Sequence, residues 1–428
     1  MTQKIARIVL KAGEEKRIEA GKPWVYYSQI AEPAIESLEP GTVADVEAAG
    51  KKYLGRAIVN PQSKIVARLY SHSKDGLDKG FIKHRIAEAI NRRILAGYNM
   101  AKDSCRIVFA EADFLPGLIA DRFVDCRTHN SYLSLQFLSY GMDTRRGDIL
   151  EAFNEVLEWN GGKPSAIIEK DAAVRELEGL PRIAASEELL QGSLPEGGIV
   201  ISENGLEFIV KLDVGQKTGY YLDQRFNRAA AARWALELTA NHANHANEFT
   251  VLDCCCNTGG FGITIAAQLL HNDVHNFSVT CIDSSSPALM ALMENARLNA
   301  VDGQITAIRG DVFDELHTLE KQKNKFAMII LDPPAFTKGR ATLDDAMRGY
   351  KEINLQAMKL LRKNGILVSC SCSQAMDEHR FKRMISEAAK DAGKRLYQLE
   401  FRCQSPDHPI LVGYDESYYL KCGVYQVA

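Results

Sequence analysis

The chain has 428 residues, of which 46% are hydrophobic and 25% are charged, and its formal net charge is −3. A chain of this length is too long for one ordinary hydrophobic core, so we expect two or three domains. The charge excludes a strongly basic nucleic-acid binder, and the lack of a long apolar run or an apolar signal core predicts a cytoplasmic protein.

Residues 1–72 predict a small β-rich module. Short runs with alternating or β-prone residues occur at Ile5–Leu10, Gly41–Val46, Gly55–Val59 and Ile65–Leu69. A polar break at 71–76 ends the module.

Residues 77–200 begin with an amphipathic helix at Phe81–Ile94 and then mix strand, helix and loop patterns, which predicts an α+β domain. Residues 201–221 predict a β-hairpin, with one strand before Gly205 and the next at Leu206–Leu212. We treat this hairpin as the start of a third domain, residues 201–428.

From residue 222 the pattern changes to alternating strands and helices, which is typical of a parallel sheet with helices on both faces. Strands are predicted at Thr250–Cys254, Ser278–Ile282, Ile305–Ile308, Ala327–Leu331 and Ile366–Cys370. Helices are predicted at 260–270, 287–298, 344–362 and 377–391, and the tail at 417–426 supplies a last strand. The fold class is therefore multidomain α/β, with a Rossmann-like sheet at the C-terminus.

The ten cysteines are bunched, with three adjacent at 254–256, which suits a reducing compartment. No C-x-x-C pair is present, so no structural zinc site is expected. His242 and His245 lie in a polar stretch that we interpret as a solvated loop rather than a metal site.

Three predicted strands end in a carboxylate, at Asp253, Asp283 and Asp311. In such sheets ligands bind outside the carboxyl ends of the strands. Asp283 is placed to accept hydrogen bonds from two ribose hydroxyls, and Asp311 to accept one from an adenine amine, with Val312 or Phe313 near the ring. Each Asp alone is equally compatible with a helix cap or a turn. Together they predict a site for adenosine.

The turn after the first of these strands, Asn257–Gly262, lacks the G-x-G-x-x-G pattern that suits the pyrophosphate of NAD. Its glycines let the backbone approach a ligand. Asp253 would repel a pyrophosphate but attract the cationic sulfonium and ammonium of S-adenosylmethionine. The predicted cofactor is therefore S-adenosylmethionine.

The fourth strand ends in Asp332-Pro333-Pro334-Ala335-Phe336. Prolines after a strand hold a rigid turn, which can aim Asp332 at the edge of a base while Phe336 stacks on it. This motif resembles motif IV of nucleic-acid methyltransferases.

The fifth strand carries Cys370 and ends near Cys372. Carbon 5 of cytosine is a poor nucleophile, and a thiolate added to carbon 6 activates it. Buried cysteine is a common filler of strands, which accounts for Cys370 equally well. Cys372 lies further along the chain, so we predict that it is the nucleophile.

The whole chain resembles the large-subunit ribosomal RNA methyltransferase I family. The runs that carry the resemblance are Gly21–Tyr26, Gly41–Val43, Gly55–Arg68, Glu111–Arg122, Arg175–Leu180 and, most specifically, Gly215–Arg225. The resemblance implies an N-terminal PUA domain that binds RNA, a central α+β domain and a class I methyltransferase domain.

The resemblance also implies the site. The catalytic residues would be Cys372 and Asp332, and Pro333, Pro334 and Phe336 would contact the substrate. The cofactor would be bound by Lys217, Thr218, Tyr220, Asp253, Asn257, Gly259, Asp283, Asp311, Val312 and Asp332. Motif I departs from the family at Cys256-Asn257, where an aromatic is common, and motif IV lacks a second cysteine. The base that removes the carbon-5 proton is therefore unassigned.

The partner implied by the resemblance is ribosomal RNA of the large subunit, 23S, and a local basic patch would bind it. Candidate patch residues are Lys51, Lys52, Arg56, Lys64 and Arg68, for which a solvated face is an equal alternative. A homodimer is compatible with the sequence, which leaves the oligomeric state open. Two other functions remain: methylation of a guanine nitrogen through the same D-P-P motif, and an RNA-binding scaffold with a vestigial enzyme domain.

Overall fold

The computed structural model describes residues 5–31, 33–183, 187–213, 219–241, 248–336 and 343–428. Two compact units are present. Unit 1 comprises residues 1–202, 210–222 and 406–417, and unit 2 comprises residues 203–209, 223–405 and 418–428. Among the described helices, none has the length and apolarity needed to span a membrane.

The N-terminal module of unit 1 is a five-stranded sheet with the order β1-β3-β4-β5-β2. Its strands are β1 (Ala6–Val9), β2 (Trp24–Tyr26), β3 (Val43–Glu47), β4 (Tyr53–Val59) and β5 (Ile65–Ser71), with helix α1 at Glu15–Glu19. In β3, Ala44 and Val46 are buried while their neighbours are partly exposed, as expected for a half-buried strand. The four predicted strands are confirmed, and β2 is an addition.

A second sheet in unit 1 has the order β10-β9-β8-β7-β6. Its strands are β6 (Cys105–Phe109), β7 (Leu118–Val124), β8 (Ser131–Phe137), β9 (Ala166–Lys170) and β10 (Glu187–Gly192), and its helices are α2 (Lys79–Leu95), α3 (Tyr140–Asp143) and α4 (Arg146–Trp159). Ile86 and Ile90 of α2 share one core with Phe153 and Leu157 of α4. The predicted helix at Phe81–Ile94 is α2.

A buried polar network connects these two sheets through Glu178. Its side chain accepts hydrogen bonds from Ser63 Oγ at 2.5 Å and from an Arg68 guanidinium nitrogen at 2.7 Å, and Asn60 donates to its backbone oxygen at 2.9 Å. Arg68 also donates to Glu111 at 3.0 Å. Because the Arg68 side chain is only 11% exposed and is paired with two carboxylates, it is poorly placed to bind RNA. Arg56 is buried, and it donates a hydrogen bond to Asp45 at 2.9 Å.

The predicted hairpin is confirmed as strands β11 (Ile199–Glu203) and β12 (Leu206–Val210). It turns through Asn204 and Gly205, both of which have positive φ. Asn-Gly is the favoured pair for such two-residue turns because neither residue is strongly penalised there.

Unit 2 contains a seven-stranded sheet with the order β15-β14-β13-β16-β17-β19-β18. Its strands are β13 (Phe249–Cys254), β14 (Phe277–Asp283), β15 (Ile305–Arg309), β16 (Phe326–Leu331), β17 (Leu361–Ser371), β18 (Leu396–Arg402) and β19 (Lys421–Val427). Its helices are α5 (Arg225–Asn241), α6 (Gly260–His271), α7 (Ser286–Leu298), α8 (Val312–Lys321), α9 (Leu343–Leu360) and α10 (Glu378–Asp391). Each predicted strand and helix is present, while β18, α5 and α8 are additions.

The strand order reverses between β13 and β16, which lie side by side in parallel with Cys254 opposite Leu331. β13 to β17 are parallel, and β19 runs antiparallel to β17. At such a reversal the loops after the two strands diverge and leave a crevice at their carboxyl ends. The fold therefore places the residues after Cys254 and after Leu331 at a potential ligand site.

Candidate active site

Four strand-end carboxylates converge on this crevice. Burial raises the pKa of Cys255 far above its ordinary value, and Asp283, Asp332, Asp253 and Asp311 raise it further. Four carboxylates can act on one thiol only if they all lie near it. The ends of these strands therefore lie close together, as the strand order requires, and they bring four acidic residues to one place.

Asp253 lies at the end of β13 and is completely buried. One carboxylate oxygen accepts a hydrogen bond from Gly262 N at 2.9 Å, while the other has no hydrogen-bond partner among the described residues. Burial raises its pKa to about 7, and the charges of Asp332 and Asp283 add to the rise. A buried carboxylate oxygen without a donor is suited to a cationic ligand.

The pKa of Asp253 leads to a testable prediction. Because the folded state raises this pKa from 3.8 to about 7, the folded protein holds the proton more tightly than the unfolded chain. The protonated Asp253 therefore contributes to the free energy of unfolding, and this contribution is complete below about pH 4. It is lost as the pH rises through 7, and the loss is at most roughly 4 kcal/mol. Asp253→Asn should remove this loss and weaken binding of a cationic cofactor. Urea unfolding at pH 5 and pH 8 measures the effect, and an unchanged pH dependence would contradict the assignment.

The turn after β13 has a strained backbone. Cys255, Asn257 and Gly259 have φ values of 57°, 49° and 87°, so two residues other than glycine occupy the left-handed region. Asn257 N donates to Asp283 at 2.9 Å, which holds the turn against β14. Such strain is typical of ligand-binding turns, where neighbouring contacts enforce it.

The glycines of this turn are required by neighbouring protein atoms. A Cβ on Gly260 would lie 2.4 Å from Arg228 Nε, and one on Gly262 would lie 2.9 Å from Cys281 Sγ. A Cβ on Gly259 would lie 2.8 Å from Ile263 Cδ1. Close packing of α6 against its neighbours is therefore one reason for these glycines, and the expectation that they also let the backbone approach a ligand stays a prediction.

The carboxylates of Asp283 and Asp311 can each accept further hydrogen bonds. Asp283 is partly exposed and accepts backbone N–H groups from Asn257 and Ser285, both at 2.9 Å, one on each oxygen. Each carboxylate oxygen can accept a second hydrogen bond. Asp311 is exposed and caps α8 by accepting from Phe313 N at 2.8 Å. The capping alternative is therefore correct for Asp311, and both residues can still bind a ligand.

A polar relay fixes the orientation of Asp332. Arg402 Nε donates to Asn227 Oδ1 at 3.1 Å, Asn227 Nδ2 donates to Gln224 Oε1 at 2.6 Å, and Gln224 Nε2 donates to Asp332 Oδ1 at 2.9 Å. Because a guanidinium only donates, it sets the orientation of both amides. Asp332 is thus held as an acceptor. Neither Gln224, Asn227 nor Arg402 was predicted as a site residue.

Aromatic side chains line the approach to Asp332. The Phe336 ring lies 5.9 Å from that of Phe313 and 4.6 Å from that of Tyr350, measured between centroids. The hydroxyl of Tyr350 donates to Pro334 O at 3.4 Å and so supports the proline turn. Val312 is buried in the core of unit 2.

The two candidate nucleophiles have different environments. Cys370 is completely buried within β17, opposite Cys422 of β19. A hydrogen bond with Cys422 and burial raise the pKa of Cys370 well above its ordinary value. Cys372 is partly exposed, one residue beyond the end of β17 at Ser371. Only Cys372 of this pair combines exposure with a position at the carboxyl edge.

Comparison with known proteins agrees with this geometry. A model of the S-adenosylmethionine-dependent methyltransferase family matches residues 156–417, and a PUA-like domain model matches residues 8–72. Ribosomal RNA large subunit methyltransferase I of Pseudoalteromonas atlantica is 35% identical over 97% of this chain and 98% of that relative. The chain belongs to the ribosomal RNA large subunit methyltransferase I family.

A second relative supports the assignment, and two solved structures share the fold. The family member from Yersinia pseudotuberculosis is 34% identical over 97% of this chain and 98% of that protein. A solved structure from Streptococcus mutans, described as a SAM-dependent methyltransferase, has the same fold with a TM-score of 0.78 at 19% identity, covering 99% of this chain and 100% of that one. Another, a methyltransferase complexed with SAH, has a TM-score of 0.79 with the same identity and coverage.

The cofactor of this methyltransferase is S-adenosylmethionine. The residues present fit it, because Asp253 offers an unpartnered buried oxygen and Asp283 and Asp311 offer free acceptor capacity. The roles of Asn257 and Gly259 stay predictions. Lys217 and Thr218, like His242 and His245, lie outside the described residues. Tyr220 is buried, and its role also stays a prediction.

The described residues contain no group of three or more side chains that could hold a metal ion. The site residues that sequence reasoning missed are the relay residues Gln224, Asn227 and Arg402. Gln224 lies within the Gly215–Arg225 run, so it carried a signal, whereas Asn227 and Arg402 are common residues in ordinary helix and strand patterns.

Proposed function

We propose that this methyltransferase methylates carbon 5 of a cytosine in large-subunit ribosomal RNA, with Cys372 as the nucleophile. The name of the relatives and the PUA-like domain at residues 8–72 support the RNA substrate. The observation that carries the cytosine assignment is the partly exposed Cys372 at the carboxyl end of β17, the strand that adjoins β16 and its Asp332. Burial raises the pKa of Tyr350, and Cys372 and Asp332 raise it further, so both groups lie near the same ring.

The chemistry follows from the weak nucleophilicity of cytosine carbon 5. The Cys372 thiolate attacks carbon 6 and forms a carbon–sulfur bond, while the electron pair of the 5,6 double bond moves to carbon 5. Bound S-adenosylmethionine supplies an electrophilic methyl group on a positively charged sulfur. Carbon 5 would take that methyl group as the methyl–sulfur bond breaks and its electron pair stays on sulfur. The carbon-5 proton would then pass to a base, to which the sequence assigns no residue. The electron pair of the carbon–hydrogen bond then restores the double bond as the carbon–sulfur bond breaks, which returns the thiolate.

Asp332 and its neighbours orient the base. Held as an acceptor by Gln224, the Asp332 carboxylate can take a hydrogen bond from the exocyclic amine of cytosine. Pro333 and Pro334 fix the backbone of this loop, and Phe336 offers a ring for stacking. A base held between Asp332 and Cys372 would present carbon 6 to the thiol.

Methylation of a guanine nitrogen is the main competing function, because Asp332 could bind guanine as well. It requires no thiol and therefore gives Cys372 no role. The RNA-scaffold alternative has no support, since the cofactor residues are intact and a methyltransferase family model matches more than half of the chain.

The deciding experiment identifies the product and the intermediate. Purified enzyme is incubated with S-adenosylmethionine and large-subunit ribosomal RNA, and the nucleosides are analysed by mass spectrometry. We expect 5-methylcytidine, and a methylated guanosine would overturn the proposal. RNA containing 5-fluorocytosine should form a trapped covalent adduct, because fluorine cannot leave carbon 5 as a proton.

Exposed lysines of the PUA-like domain should contribute to RNA affinity. Lys51 and Lys64 are exposed, so Lys51→Glu combined with Lys64→Glu should weaken RNA binding about tenfold at low salt. The slope of the logarithm of RNA affinity against the logarithm of salt concentration should become shallower by about one for each phosphate group that the variant no longer binds. Binding of S-adenosylmethionine should not change.

The matched control is Lys102→Glu with Lys163→Glu, which makes the same charge change on exposed residues elsewhere in unit 1. Filter binding at several salt concentrations measures all three proteins. Equal losses in both double variants would show that only net charge matters. Deletion of residues 1–72 is a poorer test, because it would strip Glu111 and Glu178 of their buried partner Arg68.

A further inference from the structure

Lys421, the first residue of β19, has a buried ammonium group that is bonded to backbone oxygens. It is only 1% exposed, and its Nζ donates to the backbone oxygens of Ser373 and Tyr419, both at 2.7 Å. Within the part of the chain that the structure describes, it forms no ion pair with an Asp or Glu. Buried charges are normally paired, because two neutral carbonyls replace only part of the hydration that is lost.

Lys421 contacts the chain on both sides of Cys372. Lys421 lies opposite Ser371 in the pairing of β17 with β19, and its ammonium bonds the backbone of Ser373. The residues before and after Cys372 are therefore both held by Lys421. Burial lowers the pKa of Lys421 to about 8, while attraction to Cys372 and Asp377 opposes that decrease. Lys421 is thus mostly protonated at pH 7.

Other titratable groups of the described residues lie near Cys372 or near Lys421. Tyr350 of α9 lies near both Cys372 and Asp332, and Asp377, just before α10, lies near Lys421. Asp332 also lies near the Cys370 thiol, which is bonded to Cys422. Two of these are carboxylates, which disfavour a further negative charge nearby. The ammonium of Lys421, which interacts with Cys372, is suited to offset this effect on a thiolate.

We propose that Lys421 is a positioning residue for Cys372, with a buried ammonium that serves as the counter-charge of the thiolate and holds the strand end that carries it. This inference rests on the proposed function, in which Cys372 attacks the base. This accounts for a lysine that forms no ion pair with an Asp or Glu among the described residues, because its partner is the negative charge that forms on the Cys372 thiol. Above about pH 8 the ammonium is lost, so the stabilisation acts at neutral pH.

The test measures thiolate formation without RNA. The full-length protein is alkylated with iodoacetamide between pH 6 and pH 10, and modification of Cys372 is followed by mass spectrometry that resolves it from Cys370. Lys421→Met should lower the alkylation rate at pH 7 at least tenfold. It should also move the midpoint of the pH profile upward by about one pH unit. Lys421→Arg keeps the charge and should keep the midpoint near that of the wild type.

Lys325→Met is the matched control, since Lys325 also donates to a backbone carbonyl but precedes β16, at the opposite end of the sheet from Asp332. It should leave the profile unchanged, and melting curves and cofactor affinity establish that each variant is folded. An unchanged midpoint in Lys421→Met, or equal shifts in the Met and Arg variants, would overturn the proposal. If the wild type shows the lysine-dependent midpoint but forms no adduct with 5-fluorocytosine RNA, the charge pair stands and the proposed cytosine chemistry fails.

Discussion

Cys372→Ser is expected to reduce methyl transfer to ribosomal RNA by at least about a hundredfold while leaving cofactor binding intact. A serine hydroxyl is almost never ionised near pH 7, whereas a cysteine of ordinary pKa is already a few per cent thiolate. The reaction needs an anion that adds to carbon 6 and leaves again. Single-turnover transfer of a radiolabelled methyl group measures the loss, and calorimetry measures the affinity for S-adenosylmethionine.

Cys370→Ser is the matched control for this change. Cys370 is buried opposite Cys422, so a hydroxyl there should lower stability while keeping most of the turnover. If Cys372→Ser retains near-normal activity, Cys372 is not the nucleophile. If the 5-fluorocytosine adduct instead requires Cys370, the covalent mechanism survives with a different cysteine.

Asp283→Ala is expected to weaken binding of S-adenosylmethionine at least tenfold. Two charge-assisted hydrogen bonds to the ribose, each worth roughly 1.5–3 kcal/mol, would be absent. The structure adds a second reason, since Asp283 also holds the backbone of Asn257 at 2.9 Å in the strained turn. Without that carboxylate, no hydrogen bond from Asn257 ties the turn to β14.

Two further variants separate these effects. Asp283→Asn keeps one oxygen that can accept a hydrogen bond, so its affinity should lie between those of the wild type and the alanine variant. Asp302→Ala removes an exposed acid before β15, at the opposite edge of the sheet, and should bind the cofactor normally. Unchanged affinity of Asp283→Ala in calorimetry would contradict the role of Asp283.

Much of the fold could be predicted because its elements have strong local patterns. β13 to β17 are apolar runs separated by helices, and their boundaries agree with the structure to within one residue at most ends. β17 is the exception, since it begins at Leu361, where we predicted the end of a helix. Strand β18 (Leu396–Arg402) was missed because it lies at the sheet edge and only partly excludes solvent, which leaves no clear apolar alternation.

The acidic residues of the candidate site could be predicted from the sequence, but the residues that hold them in place could not. Asp253, Asp283, Asp311 and Asp332 follow strands of one parallel sheet, so topology alone brings them together. The relay joins Arg402 to Asn227, which are 175 positions apart, and no local pattern relates them. The candidate RNA patch had to be revised for the same reason, because the partners of Arg68 are distant in sequence.

Local sequence was sufficient to define the parallel sheet, the negative crevice at its carboxyl edge and the family, since these depend on periodicity and on residues next to strand ends. Which cysteine is accessible depends instead on tertiary packing. Cys370 and Cys372 are two residues apart and share the periodicity of one strand, so the pattern cannot separate them. The difference arises because β19 pairs with β17 only as far as Ser371, which buries Cys370 and leaves Cys372 beyond the ladder, beside the ammonium of Lys421.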